Sequence, residues 1–152
     1  MIELTFRHAQ ACDIRALVTL LADDPLGSTR ELADPEDLSP YEHAFTEIQS
    51  DPGQFLCVVE DAGNLVGTLQ LSFIPGLSRG GAKRGQIEAV RVHPGRRGEG
   101  IGEAMFRWAI EECRARGCAL VQLTTDKSRS DAHRFYDGLG FEASHVGYKL
   151  LL

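Results

Sequence analysis

The segment Arg96-Arg97-Gly98-Glu99-Gly100-Ile101-Gly102 constrains this chain more than any other, because it joins a strand to a helix through glycine. Upstream, Gln86-Ile87-Glu88-Ala89-Val90-Arg91-Val92 alternates and is β-branched, and His93-Pro94-Gly95 stops it. Downstream, Glu99 to Arg116 carries Ile101, Met105, Trp108, Ala109 and Cys113 at helical spacing. A helix start leaves several backbone N–H groups without intrahelical partners, all pointing one way. The helix dipole adds partial positive charge there, and Arg96 and Arg97 add full charges. Gly98, Gly100 and Gly102 have no side chains to keep a diphosphate from the backbone. The segment reads as a pyrophosphate cradle.

What is missing narrows the kind of cradle. A Walker A loop needs Gly-x-x-x-x-Gly-Lys-Ser/Thr, and no Lys-Ser or Lys-Thr follows these glycines. A dinucleotide fingerprint sits after the first strand of its unit, whereas this loop follows at least three strands. The pattern Arg97-x-x-Gly100-x-Gly102, after a strand ending Val-x-Val-x-Pro, instead resembles the acetyl-CoA signature of the GNAT N-acetyltransferase superfamily.

Composition sets the outer bounds. A chain of 152 residues with 43% hydrophobic content suits one well-cored domain, taken as residues 1–152. The net charge of −6 and the lack of a basic run give a nucleic-acid partner no electrostatic support. Met1-Ile2-Glu3-Leu4-Thr5-Phe6-Arg7 does not read as a signal peptide, and no apolar run approaches a membrane span. Cys12, Cys57, Cys113 and Cys118 show no Cys-x-x-Cys spacing, so buried free thiols in a reducing cytoplasm are expected.

The periodicities predict a strand over Ile2–His8, a helix over Asp13–Ala22, an exposed loop over Asp23–Asp37 and a helix from about Tyr41 to Ser50, capped by Ser39 with Pro40 in its first turn. Gln54–Glu60 and Leu65–Phe73 flank the hairpin signal Asp61-Ala62-Gly63-Asn64. Ile74–Gly85 reads as a mobile connection, Ala119–Thr125 as the fifth strand, and Ser130–Leu139 as a helix ended by Gly140. Phe141–Leu152 is expected to hold one or two strands. This order matches the GNAT arrangement. The resemblance implies an α/β (α+β) fold: a mixed, mostly antiparallel sheet of six or seven strands with four helices. Strands two to four run antiparallel in it, while strands four and five are parallel and splay apart around the pantetheine arm.

Acetyl transfer from a thioester to an amine needs a neutral amine, a stabilised oxyanion and a proton for the departing thiolate. Asp131-Ala132-His133-Arg134-Phe135-Tyr136-Asp137-Gly138-Leu139-Gly140-Phe141 resembles the second GNAT signature, which makes Tyr136 the proton donor. Its other reading is a core aromatic beside Phe135. Glu88 lies among apolar strand residues, a costly place for a carboxylate unless it is paired or useful. The resemblance makes it the general base, and an ion pair with Arg91, Arg84 or Lys83 is the alternative. Strict alternation puts Glu88, Val90 and Val92 on one face and Ile87, Ala89 and Arg91 on the other.

The resemblance also carries over as cofactor-binding Val90, Arg91, Val92, Arg96, Arg97, Gly98, Glu99, Gly100, Ile101, Gly102, Arg129, Ala132 and His133. Val90 and Val92 would act through backbone hydrogen bonds to the pantetheine amides. Arg129 stands where the family pattern has asparagine, a departure from it. The run Lys127 to Tyr136 and the later Ser144-His145 look like the aminoalkylphosphonate N-acetyltransferases. In that light Arg129 or Arg134 would meet the 3′-phosphate of CoA or a substrate anion; solvated helix charges are the other reading. His133 and His145 also have structural readings, and no histidine pair has metal spacing, so no metal site is expected.

These features imply acetyl-CoA-dependent N-acetylation of a small primary amine by direct transfer in a ternary complex. No cysteine lies in either signature, which argues against an acetyl-cysteine intermediate. The rivals are a non-catalytic acyl-CoA-binding or regulatory module and a peptide or protein N-acetyltransferase. Homodimers through the C-terminal strands are common in the resembled family. Acceptor choice is expected from the loops Asp23–Pro40 and Ile74–Gly85.

Overall fold

The computed structural model describes residues 2–24, 26–30 and 35–152, with the backbone alone at residues 28 and 30. Parts of the loop expected over Asp23–Asp37, residues 25 and 31–34, lie outside the described residues. In chain order the elements are β1 (Leu4–His8), α1 (Ile14–Ala22), α2 (Gly27–Arg30), α3 (Ser39–Ser50), β2 (Gln54–Asp61), β3 (Asn64–Ile74), β4 (Lys83–Val92), α4 (Ile101–Ala115), β5 (Cys118–Gln122) and α5 (Ser130–Gly138). The sheet order is β1-β2-β3-β4-β5. Its first four strands pair antiparallel, and β4 pairs with β5 in parallel.

Alternation along β2 divides the interior in two. Phe55, Cys57 and Val59 point into a core shared with Leu69, Leu71, Ile87 and the α4 residues Ile101, Met105, Phe106, Ala109 and Cys113. Val58 points the other way, against Ile14, Leu17 and Val18 of α1 and Phe45 of α3. The sheet is therefore sandwiched between α1 and α3 on one side and α4 on the other. Each fully buried leucine, such as Leu69 or Leu71, contributes about 1.5–3 kcal/mol relative to exposure. The approach of α4 to β4 depends on Gly85, where an added Cβ would collide with the Cys113 sulfur.

Local signals set several boundaries. Ala62 (φ 50°) and Gly63 (φ 79°) both adopt left-handed conformations in the β2–β3 turn, as a tight two-residue hairpin requires. Gly140 (φ 89°) closes α5, with Gly140 N–H donating to Asp137 O and Phe141 N–H to Tyr136 O.

Other expectations are corrected. The second long helix starts at Ser39 rather than Tyr41, its N-cap residue is Leu38 with no side-chain capping bond, and Asp37 just before it holds Ser39. That carboxylate accepts the Ser39 N–H at 2.9 Å and the Ser39 hydroxyl at 2.6 Å, so serine caps nothing. The exposed loop contains the short helix α2, making five helices rather than four among the described residues. Part of the connection expected over Ile74–Gly85 is strand, because β4 begins at Lys83. Cys57 and Cys113 are buried, but Cys12 is exposed and Cys118 only half-buried. Among the described residues five strands form, not six or seven. Residues 141–152 join no ladder, and Val146, Tyr148, Leu150, Leu151 and Leu152 stay exposed.

Candidate active site

The β4–β5 ladder runs from Lys83↔Cys118 to Gln86↔Gln122 and then stops, although β4 continues to Val92. Beyond Gln86 the β5-facing edge of β4 has no strand partner among the described residues, and that open edge leads into the glycine segment. The backbone bends there. Ala89 takes a left-handed φ of 53°, and the β3–β4 register shifts between Thr68 and Gln70. This is a β-bulge, which breaks alternation and re-aims the side chains beyond it.

The bulge overturns the expected grouping of the strand. Val90 and Val92 pack with Ile87 against the α4 core. Glu88 pairs across the sheet with Gln70, and Arg91 with Thr68, which itself pairs with Val58 on the α1 side. Glu88 and Arg91 thus share the α1/α3 face, opposite Val90 and Val92. No ion pair to Arg91, Arg84 or Lys83 forms. Among the described residues the Glu88 carboxylate is exposed and accepts one hydrogen bond, from Gln86 Nε2 at 2.6 Å.

In the cradle, Gly98 and Gly100 have φ of 83° and 80°, and a Cβ at either would meet open space. Gly100 is the residue from which α4 starts, and its carbonyl accepts the Ala104 N–H at 3.1 Å. Arg96 bridges Asp61 and Glu99, each at 2.8 Å. Arg97 holds Asp23 at 3.0 Å and donates to Val92 O at 3.3 Å. The carbonyl of Val90 likewise accepts from the Arg91 guanidinium, at 2.9 Å. A cavity of about 310 Å³ opens here, lined by Val92, Arg96, Arg97, Gly100, Glu103 and Phe135 among others. A roomier one of about 380 Å³, beside Phe45 and Arg116, is lined by none of the predicted site residues.

From α5, Phe135 lines the cradle cavity, while its neighbour Tyr136 packs edge-on to Phe106 of α4 at a centroid distance of 5.5 Å. Burial pushes its phenol above the ordinary value; Arg129 and Arg91 pull the other way with less effect. The hydroxyl therefore stays protonated at neutral pH. Arg91 and Arg129 meet on one carboxylate: Asp24 Oδ2 lies 2.9 Å from Arg91 Nε and 3.2 Å from Arg129 Nη2. Burial opposes ionisation of Asp24, but the Gly27 N–H and the two arginines outweigh it and hold the carboxyl below its usual range. This bridge ties β4 to the start of α5. Ala132 is half-buried in the first turn of α5, while His133 is exposed and contacts Asp126 O at 3.3 Å. Arg134 pairs with Asp131.

Sequence reading missed Asp23 and Asp24, which sit in a charged turn that looks merely solvated. Only the carboxylate pair itself signals them.

The residues present fit a diphosphate carrying an extended amide arm. Left-handed glycines leave room at a helix N-terminus, two arginines flank it, and an unpaired strand edge continues from it. Replacing Gly100 by valine is expected to weaken acetyl-CoA binding at least roughly tenfold, because a β-branched residue resists positive φ and fills the approach. Calorimetry on the folded variant measures this, and unchanged affinity would remove Gly100 from the site.

The comparisons agree with this geometry. The profile of the Acetyltransferase (GNAT) family matches residues 15–141. An aminoalkylphosphonate N-acetyltransferase of Salmonella typhimurium is 32% identical over 138 residues, 90% of this chain and 89% of the relative. A glucosamine 6-phosphate N-acetyltransferase of Trypanosoma brucei brucei is 37% identical over 84 residues, 55% of each chain. A crystal structure described as a transcriptional regulator from Bacillus halodurans C-125 superposes with a TM-score of 0.94 at 45% identity, covering 99% of this chain and 100% of that one. This chain belongs to the GNAT acetyltransferase family. It is an acetyl-CoA-dependent N-acetyltransferase, with acetyl-CoA as its cosubstrate.

Proposed function

We propose that this protein, as one domain over residues 1–152, acetylates the primary amine of a small molecule by direct transfer within a ternary complex. The observation that carries this reading is the open β4 edge running into the glycine segment, with the exposed Glu88 on the α1/α3 face of that strand and Tyr136 on α5, whose phenol feels Arg91 of the same strand. The name of the Salmonella relative supports a small acceptor.

The cradle residues Arg96 to Gly102 hold the diphosphate, with Glu99 keeping Arg96 in place and Ile101 anchoring the helix start in the core. Val90, Arg91 and Val92 form the strand against which the pantetheine arm lies. Arg129, Ala132 and His133 close the opposite side. Acetyl-CoA supplies the activated thioester. Glu88 takes a proton from the acceptor ammonium, directly or through water, and so frees the nitrogen lone pair. The Tyr136 hydroxyl holds a proton for the departing sulfur.

Buried thiols support direct transfer. Desolvation pushes Cys57 and Cys113 up to about 12, too high for either to serve as a nucleophile at neutral pH. Initial-rate measurements with varied acetyl-CoA and amine are expected to give intersecting double-reciprocal lines. Parallel lines, with an acetylated protein seen by mass spectrometry, would overturn the ternary complex.

The free thiols also support a reducing, cytoplasmic setting. A homodimer is supported by the tail, where Val146, Tyr148, Leu150 and Leu152 recur at a strand's period of two and lie exposed. Light scattering should give twice the chain mass for the full protein and half that value after removal of residues 145–152.

A further inference from the structure

Four glutamines and a serine cross the sheet in one row. Gln54 pairs with Ser72, Ser72 with Gln86, Gln86 with Gln122, and Gln70 with Glu88. Directly paired residues share a face, as do residues two apart on one strand, so all six side chains lie on the side of the sheet that carries α1 and α3. That face is apolar at Leu56 and Val58, where the helices cover it. At the row it turns polar, and each glutamine and Ser72 is only half-buried.

The row is also pre-ordered. Gln54 Oε1 accepts from Gln70 Nε2 at 2.9 Å and from Ser72 Oγ at 3.0 Å. Gln86 Oε1 accepts from Gln122 Nε2 at 2.8 Å, while Gln86 Nε2 donates to Glu88 at 2.6 Å. Fixing a glutamine side chain costs rotamer entropy, and these bonds offset part of that in advance. Each primary amide offers two donors and one acceptor oxygen, so the internal bonds do not exhaust them. The Gln54 amide protons and the Gln70 and Gln122 carbonyl oxygens pair with no described residue, and none of them is sealed from solvent.

We propose that this amide row is the floor of the acceptor subsite, and that it selects an amine whose body carries several neutral hydroxyl or amide groups over one with an apolar body. The proposal deepens the function given above and rests on Glu88 receiving the amine proton. Gln86 and Gln70 flank Glu88, so an amine presented to that carboxylate lays its body across the row. The floor spans three inter-strand spacings, roughly 14 Å, which is wider than an amino group alone would need. A site built from neutral donors and acceptors rejects an isostere lacking hydroxyls, because its own polar groups are then left unpaired.

The test compares glucosamine with cyclohexylamine, a ring amine without hydroxyls. Binding is followed by ligand-observed NMR in the presence of CoA, and turnover by thiol release from acetyl-CoA. Wild-type protein is expected to bind and acetylate glucosamine at least roughly tenfold better. Gln70→Leu and Gln122→Leu should each shrink the ratio of the two amines' kcat/KM severalfold, through KM for glucosamine, at unchanged acetyl-CoA affinity. Equal binding of both amines by the wild type, binding of neither, or a ratio unmoved in folded variants would overturn the floor. Selective binding of glucosamine with acetyl transfer to neither amine would instead overturn the transfer reading and leave the floor standing.

Discussion

Tyr136→Phe is expected to lower kcat by roughly 10²-fold while leaving acetyl-CoA affinity and melting temperature near wild type. The substitution removes one oxygen and keeps the ring, whose edge-on contacts with Phe106, Phe135 and Phe141 account for its packing. That hydroxyl bonds to no described residue, so its loss leaves no internal partner unsatisfied. Some turnover should survive, because a thiolate is a tolerable leaving group. The pH dependence adds an independent check. The protonated phenol is the active form, and burial raises its pKa, so wild-type kcat should hold beyond the ordinary tyrosine value of about 10 before falling. In the phenylalanine variant that alkaline limb should vanish. Wild-type turnover in the variant would make Tyr136 a packing residue and assign the proton to solvent.

Glu88→Gln should reduce kcat/KM by roughly 10²-fold at neutral pH, because an amide of the same shape cannot accept the ammonium proton. The deficit should narrow as pH rises and free amine becomes abundant. A structural role predicts something else. Glu88 is exposed and among the described residues holds only the Gln86 amide, so its replacement should cost little stability. A loss of equal size at every pH, accompanied by a lower melting temperature, would mark Glu88 as part of the framework. Parallel pH–rate profiles and thermal melts on one preparation separate the two outcomes.

Local chemistry made much of this protein legible from its residues alone. The strand–glycine–helix segment from Gln86 to Ala115, the Ala62-Gly63 turn and the stop at Gly140 each depend on neighbours within a few positions. Backbone sterics and helix-start geometry act at that range, so pattern suffices. The same holds for the alternation of β2, which divides the two cores, and for the antiparallel hairpin between β2 and β3.

Contacts between distant segments decided the rest. Strict alternation placed Glu88 with Val90 and Val92, but the bulge at Ala89 separates them, and alanine carries no mark of the left-handed φ that pairing with β3 requires there. Arg129 meets Asp24 across 105 positions, and neither residue stands apart from ordinary surface charge until the fold brings them together on Arg91. The C-terminal residues alternate like a strand, yet a strand needs a ladder partner, and none of the described residues supplies one. The sequence by itself determined the strand–glycine–helix segment, because backbone sterics act locally, and through the resemblance of its two signatures to the GNAT family it pointed to the fold class and to the residues proposed for proton transfer. Only the tertiary structure decided which face Glu88 occupies and what surrounds it, because sheet register and bulges are set by pairing between strands far apart in the chain.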